Sequence, residues 1–350
     1  MLKNWKLWLG FVISTAGLYL TLRDIRFDEF FTQLAKAEAI WFLPAVAALS
    51  ATLTMRAWRW SALMNNTPFG VTFHAMLIGY LINSTLPLRL GELARAWVIG
   101  QNTTVSMARA LSSVVVERAL DLATVVLMFA VFAQYIPMPA AFSHVALSGG
   151  IFIFGLVMAV GLMIWQAERA EQLLSAILGR LERRAPRLNA ARLIRLFKDV
   201  CGGFRVINTP RKALWVLLTN IGVWATNMLV AYFTMWAFMP GQLEQAGLVM
   251  VMANLGGALP SAPGGLGVVQ PLARESLVIP FGADKNAAVA FAFVWSLGQQ
   301  LILIALGLIS LTRLGLSFGK VTAGSQIATY PAQQADQHGN LMGETAGIRD

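Results

Sequence analysis

The chain has 350 residues, of which 57% are hydrophobic and only 13% charged. Soluble domains average about 25% charged residues, so an ordinary water-soluble enzyme or binding module is excluded and an all-α membrane bundle is expected. The net charge of +10 would suggest nucleic acid in a soluble protein. Here the Lys and Arg residues flank apolar spans, which points to membrane orientation and anionic lipid, with no nucleic-acid partner.

Lys3 and Lys6 precede an apolar run to Leu22, closed by Arg23-Asp24. No small-x-small cleavage site follows, so an uncleaved first span is predicted at 5–22. Segment 26–38 places Phe27, Phe30, Phe31 and Leu34 at helical spacing among Asp28, Glu29 and Lys36, the pattern of a helix lying on the membrane surface. Further spans are predicted at about 39–55, 108–136, 145–166, 213–238 and 286–312, six in all, since a spanning helix needs about 20 apolar residues.

Two apolar stretches between the spans, about 73–96 and 246–281, are interrupted alike. Asn83 is followed by Leu86-Pro87, then Gly91-Glu92. Asn254 is followed by Leu259-Pro260, then Pro263-Gly264-Gly265-Leu266-Gly267 and Gln270. Paired interrupted helices in the two halves of a membrane chain point to a substrate site at mid-bilayer.

Connection 167–212 holds eleven Lys/Arg against four acids, whereas 137–144 and 239–246 hold no Lys or Arg. The positive-inside rule puts 167–212 in the cytoplasm and the two short connections outside. Stretch 73–96 then starts and finishes inside, and 246–281 starts and finishes outside. Each becomes a re-entrant hairpin, one from each face, in an inverted-repeat arrangement with both termini cytoplasmic. The second span ends near Arg56 and Arg59 at the cytoplasmic side. Arg23, Arg26 and Lys36 fall outside and oppose this orientation; the 167–212 asymmetry is the larger. The halves, about 1–166 and 213–315, make one transmembrane domain over 1–315, and the polar stretch 316–350 is expected to be disordered.

The sharpest polar cluster is Glu117-Arg118-x-x-Asp121, with Glu117 and Asp121 on one helix face and Arg118 in pairing distance of Asp121. Charges inside a membrane are costly unless paired, and mark a site or a pathway; a structural ion-pair network between helices is the alternative. Arg89, Glu92 and Arg95, at three-residue spacing after Pro87, would offer guanidinium groups and free helix N–H groups to a phosphate or carboxylate, or else snorkel to the interface. The glycines of 260–267 let unwound backbone line a cavity, or form a tight packing turn. This run lacks the Lys-Ser/Thr of a phosphate-binding P-loop. Asn220 and Asn227 read as helix–helix hydrogen bonders, and Trp58, Trp60, Trp165 and Trp215 as interface anchors. A single Cys201 excludes an internal disulfide. His74, His144 and His338 stand too far apart in sequence for metal-ligand spacing, so no metal and no cofactor are expected.

Asn83…Leu86-Pro87-x-Arg89-x-Gly91-Glu92-x-x-Arg95, then Glu117-Arg118-x-x-Asp121, then Leu259-Pro260-x-x-Pro263-Gly264-Gly265-x-Gly267 together resemble the lysylphosphatidylglycerol synthetase transmembrane-region family, over roughly residues 5–315. The resemblance implies a flippase-like domain of a bacterial-type cell (inner or plasma) membrane that binds or moves phospholipid-like or polyprenyl-linked lipids with anionic or phosphate-bearing head groups. The expected substrate-binding set is Asn83, Arg89, Glu92, Arg95, Glu117, Arg118, Asp121, Asn254, Pro260, Pro263, Gly264, Gly265, Gly267 and Gln270. The family usually has Glu where this chain has Gln270, and often an Arg in the last long helix, where Trp295 and Gln299-Gln300 stand. Only 38 residues follow Thr312, so lipid aminoacylation is not expected. The reading is a non-enzymatic lipid translocase; the alternative is a non-transporting lipid-binding scaffold for a separate lipid-modifying enzyme. An intramembrane acid–base enzyme built on Glu117 and Asp121 would still need a nucleophile or metal set.

Overall fold

The computed structural model describes residues 5–23, 25–64, 67–86, 90–135, 209–257 and 261–329, with pieces at 155, 174–178 and 194. All structural statements below concern those residues. They contain helices and no strand: α1 (Trp5–Leu22), α2 (Phe27–Ala35), α3 (Phe42–Leu63), α4 (Phe69–Thr85), α5 (Gly91–Asn102), α6 (Met107–Tyr135), α7 (Pro210–Trp236), α8 (Leu243–Gly257), α9 (Val269–Phe281), α10 (Lys285–Arg313) and α11 (Phe318–Thr329). Short 3₁₀ turns stand at Ala39–Trp41 and Pro263–Gly265.

Three helical stretches are long and apolar enough to cross a membrane: Ala39–Leu63, Pro210–Trp236 and Lys285–Arg313. They coincide with three of the six predicted spans. Predicted span 108–136 falls within α6, which is 29 residues long and carries Arg109, Glu117, Arg118 and Asp121 in its first half. Predicted span 5–22 is the 18-residue α1. Span 145–166 and nearly all of connection 167–208 lie outside the described residues. The outward faces of α7 and α10 are apolar, with Leu217, Leu218, Ile221, Leu301, Leu308 and Ile309 at least half exposed. Arginine is meanwhile buried inside. Greasy outside and ionic inside is the pattern of a protein whose solvent is lipid.

The interrupted stretches fold as two helical hairpins. Leu86 closes α4 in extended backbone (φ −111°, ψ 144°), the conformation that the following Pro87 imposes on its predecessor. The chain returns as α5, with Asn83 opposite Gly91 and Gly79 opposite Arg95. A Cβ on Gly91 would stand 2.0 Å from the Gly79 carbonyl oxygen, so only glycine permits this approach. In the second hairpin α8 and α9 pack together across the 3₁₀ turn. The four helices have 17, 12, 15 and 13 residues. At about 1.5 Å per residue none reaches the roughly 30 Å of a hydrocarbon core.

Packing relates the two halves pairwise. α3 lies along α7; α4 packs on α10 and α8 on α6; α3 packs on α4 and α7 on α8; α5 packs on α6 and α9 on α10. Helix α1 covers α9, α2 covers α10, and α11 covers α5. One apolar core, including Leu53, Met76, Ile78, Val98, Val249 and Phe291, runs through the bundle.

Three local expectations change. The second span does not end at residue 55: α3 continues to Leu63, carrying Arg56 and Arg59 into the bundle. The helix continues because their guanidinium groups meet carboxylates there, so the charges need not reach water. Trp60 is fully buried rather than an interface anchor. Part of the stretch expected to be disordered, Phe318–Thr329, is helix α11, whose Val321 is fully buried and whose Gly324 abuts the Trp97 ring. A patch of α5 thereby gains cover that composition alone does not foretell.

Candidate functional site

Helix α6 supplies two carboxylates one turn apart, and arginines from three helices converge on them. Arg59 of α3 is fully buried. It reaches Glu117 Oε1 at 3.2 Å and Asp121 Oδ1 at 2.8 Å, and donates to Asn220 Oδ1. Arg95 of α5 lies 2.8 Å from Glu117 Oε2. Arg118 approaches Glu117 Oε1 at 3.2 Å and Asp121 Oδ2 at 3.4 Å, and Arg56 approaches Asp121 Oδ2 at 3.6 Å. Asn220 also donates to Thr124 Oγ1 at 2.9 Å, so it bridges α7, α3 and α6.

The spacing makes this possible. Arg56 and Arg59 at i, i+3 share a face of α3, as Glu117 and Asp121 at i, i+4 share a face of α6. Trp60 donates to Ser113 Oγ at 2.9 Å, and this holds its indole 4.7 Å from the Arg95 guanidinium carbon. Such a contact stabilises a desolvated cation. Arg95 is therefore held inside by an anion and a ring; it does not snorkel to an interface.

Four arginines contact two carboxylates, and with Glu92, which lines the smaller cavity beside Arg95 and Arg118, the site holds four cations against three anions, an excess of one. The contacts of Arg95 with Glu117 Oε2 and of Arg59 with Asp121 Oδ1 are close but not aligned as hydrogen bonds, and Arg95 Nη2 has no acceptor. The cluster is thus over-cationic and holds unused donors. Arg118, whose side chain is 46% exposed, is its open member.

Two adjoining cavities begin at Arg118. The smaller, about 250 Å³, lies between the hairpins and takes Asn83, Glu92, Arg95 and Arg118 on one side and Pro263, Gly264 and Gly265 on the other. The larger, about 490 Å³, runs from Arg56, Arg118 and Asp121 to Asn254, Trp295 and Gln299. Tyr80, Gly257 and Gly264 border both. Glu92 receives the Asn83 amide at 3.3 Å, and Asn83 Oδ1 accepts from the Gly91 N–H at 2.8 Å, which ties the two arms together beside the turn that joins them.

Of the fourteen residues singled out in the sequence, Asn83, Glu92, Arg95, Arg118, Asp121, Asn254, Pro263, Gly264 and Gly265 line one cavity or the other. Glu117 is fully buried behind them, as the anion that holds the arginines. Arg89 and Pro260 lie outside the described residues. Gly267 and Gln270 line neither cavity. Gln270 is fully buried, accepts from the Gly267 N–H at 2.8 Å and donates to Ser296 Oγ at 3.0 Å, so it fastens the loop to α10. Gly267 has φ 77°, and a Cβ there would stand 2.0 Å from the Ser14 carbonyl oxygen. Ser14 Oγ in turn accepts from the Ala262 N–H at 2.7 Å, making α1 a clamp on the turn. Sequence reading missed Arg56, Arg59 and Ser14. The signal for the first two was the run Ala57, Trp60, Ala62, Leu63, which extends the buried face of α3 beyond the arginines.

Apolar helices of spanning length around a buried ionic cluster make this a multi-pass helical membrane protein. The chain belongs to the lysylphosphatidylglycerol synthase TM region family, whose sequence profile matches residues 7–307. It is similar to a UPF0104 membrane protein of Methanothermobacter thermautotrophicus, at 24% identity over 332 residues that cover 87% of this chain and 95% of the relative. No solved structure matches the chain.

Proposed function

We propose that this protein binds phosphate-bearing lipids in the cavity between its two hairpins and passes their head groups across the membrane. The observation that carries the reading is the excess of arginine over carboxylate around the two cavities, with Arg118 lining both. A buried cationic excess is costly, and a lipid phosphate at Arg118 and Arg95 offsets it through charge-assisted hydrogen bonds. Short hairpin helices that cannot span alone support a re-entrant placement. The pairwise packing of α3–α6 and α7–α10 supports an inverted repeat, with one hairpin from each face. The protein acts in the cell membrane with both termini in the cytoplasm. It is not an enzyme: Glu117 and Asp121 are engaged by arginines and so are poorly placed to serve as acid or base.

The test is reconstitution into vesicles with fluorescent anionic, zwitterionic and polyprenyl lipids. Faster exchange between leaflets than in empty vesicles is expected for at least one phosphate-bearing class. Exchange at the empty-vesicle rate for every class would sink the reading.

One observation favours a second reading, a lipid-binding scaffold for a lipid-modifying enzyme. The loop that would have to move for transport is fastened by neutral hydrogen bonds from Gln270, Gln300 and Ser14. Lipid binding without exchange, together with partner activity lost in Arg95→Ala/Arg118→Ala, would select it.

A further inference from the structure

The larger cavity is chemically divided. Its charged groups, Arg56, Arg118 and Asp121, come from α3 and α6, while α7, α8 and α10 contribute no charged lining residue. They contribute instead four amides, Asn227, Asn254, Gln299 and Gln300, and two indoles, Trp224 and Trp295. A cavity of about 490 Å³ falls within the roughly 300–1,000 Å³ of small-molecule sites.

Much of the hydrogen-bonding capacity of that wall is unused. Asn254 donates to the Met250 carbonyl at 2.8 Å, Gln299 to the Trp295 carbonyl at 3.1 Å and Gln300 to the Gly264 carbonyl at 2.6 Å. Their side-chain oxygens accept nothing among the described residues, and Asn227 makes no side-chain hydrogen bond among them. Trp224 and Trp295 are 3% and 6% exposed, yet neither indole N–H has an acceptor. The indole N–H groups are buried out of a ligand's reach, whereas the amides line the cavity and can take up a ligand's hydrogen bonds. Helix–helix bonding could also use them, but the contrast with Asn220 speaks against it. Asn220 bridges α3 and α6, while Asn227, two turns further along α7, faces the cavity.

We infer that the larger cavity receives the hydroxylated part of a lipid head group, a sugar or cyclitol joined through phosphate. The phosphate meets Arg118 and Arg56, and the hydroxyls meet the amides. The inference rests on the lipid-phosphate reading above and names its substrate class. Neutral amides both donate and accept, as hydroxyls do. An ammonium-bearing head group finds no anion on this wall.

The test uses the full chain in detergent micelles and binding followed by native mass spectrometry. The probes are phosphatidic acid, phosphatidylethanolamine and phosphatidylinositol with identical acyl chains. Phosphatidylinositol should bind about tenfold tighter than the other two, a difference of about 1.4 kcal/mol. Asn227→Leu/Gln299→Leu should narrow that gap, and Arg118→Ala should weaken all three lipids. Equal binding of phosphatidic acid and phosphatidylinositol to the wild-type protein would overturn this inference alone. Failure of every phosphate lipid to bind would overturn the lipid-phosphate reading as well. Inositol 1-phosphate competing at equal concentration would overturn the assignment to a lipid in favour of a water-soluble sugar phosphate. Should the double variant fail to fold, the wild-type ranking still decides.

Discussion

The two hairpins occupy matching places in the chain, and their turns and cavity faces are stabilised by different chemistry. The first backs onto an ionised network: Arg95 on α5 pairs with Glu117, and Arg59 and Arg118 share that carboxylate. The turn of the second is held by neutral bonds: Gln270 to the Gly267 N–H and Ser296, Gln300 to the Gly264 carbonyl, and Ser14 to the Ala262 N–H. Its arm α9 carries one buried arginine, Arg274, which lies 3.0 Å from Glu275 Oε1, donates to the Leu20 carbonyl of α1 and lines neither cavity. A helical hairpin of this kind can therefore be anchored by an ion network or, at its turn, by amides. The asymmetry places the cationic surface on the first half and leaves the second half to shape the cavity. It also predicts that the halves fail in different ways when disturbed.

The sharpest way to break the comparison is Glu117→Ala. This change leaves Arg59 and Arg95 buried with a missing anion, and breaking a buried ion pair from one side costs about 3–5 kcal/mol. The expected result is a large fall in the thermal midpoint of detergent-solubilised protein, or loss of folded yield. Joint replacement of Arg95 and Glu117 by apolar residues of similar volume should recover part of it. A Glu117→Ala protein that melts like wild type would mean the network does not hold the first hairpin.

Much of this asymmetry is legible in the amino-acid sequence. The hairpins are visible because proline and glycine interrupt apolar runs at matching places. Glu117, Arg118 and Asp121 stand out because charge within a long apolar helix persists only when it is paired or serves a ligand. Arg56 and Arg59 are harder to read, since two arginines at the end of a span look like an interfacial stop. Only their partners on α6 and α7 show that the helix continues. The roles of Gln270 and Gly267 are also hidden. Both sit in the Gly-rich motif, and nothing local says that one fastens the loop to α10 while the other makes room for α1. Helix α11 is equally illegible, because it is short and polar and its stability comes from packing on Trp97.

The neutral turn of the second hairpin is tested by smaller changes. Gly267→Ala forces a Cβ against Ser14 in a left-handed conformation, and overpacking of this kind costs roughly 1–3 kcal/mol. Gln270→Leu removes the acceptor of a buried N–H and should cost about 1–3 kcal/mol, at the lower end if the backbone relaxes. Both should lower the thermal midpoint and raise proteolytic cleavage around 261–267, leaving the α3–α6 network intact. Cleavage shifting to the first hairpin instead would show that the halves are not separately anchored.

Arg118→Ala should have the smallest effect on stability and a large one on ligand binding. Each carboxylate keeps other cations after the change: Glu117 retains Arg59 and Arg95, and Asp121 retains Arg56 and Arg59. The Arg118 side chain is 46% exposed, against at most 12% for Arg56, Arg59 and Arg95, so the loss of its ion pairs should cost less than the loss of theirs. The thermal midpoint should move by only a few degrees. Yet Arg118 stands where the two cavities meet, and it is the member of the cationic excess with the freest access to a ligand. Phosphatidic acid binding should fall at least tenfold, the equivalent of about 1.4 kcal/mol. Measuring both quantities on one preparation separates the roles. Binding lost with folding retained assigns the excess charge to a ligand, whereas binding retained would make the arginines scaffolding and leave the cationic half without its functional distinction.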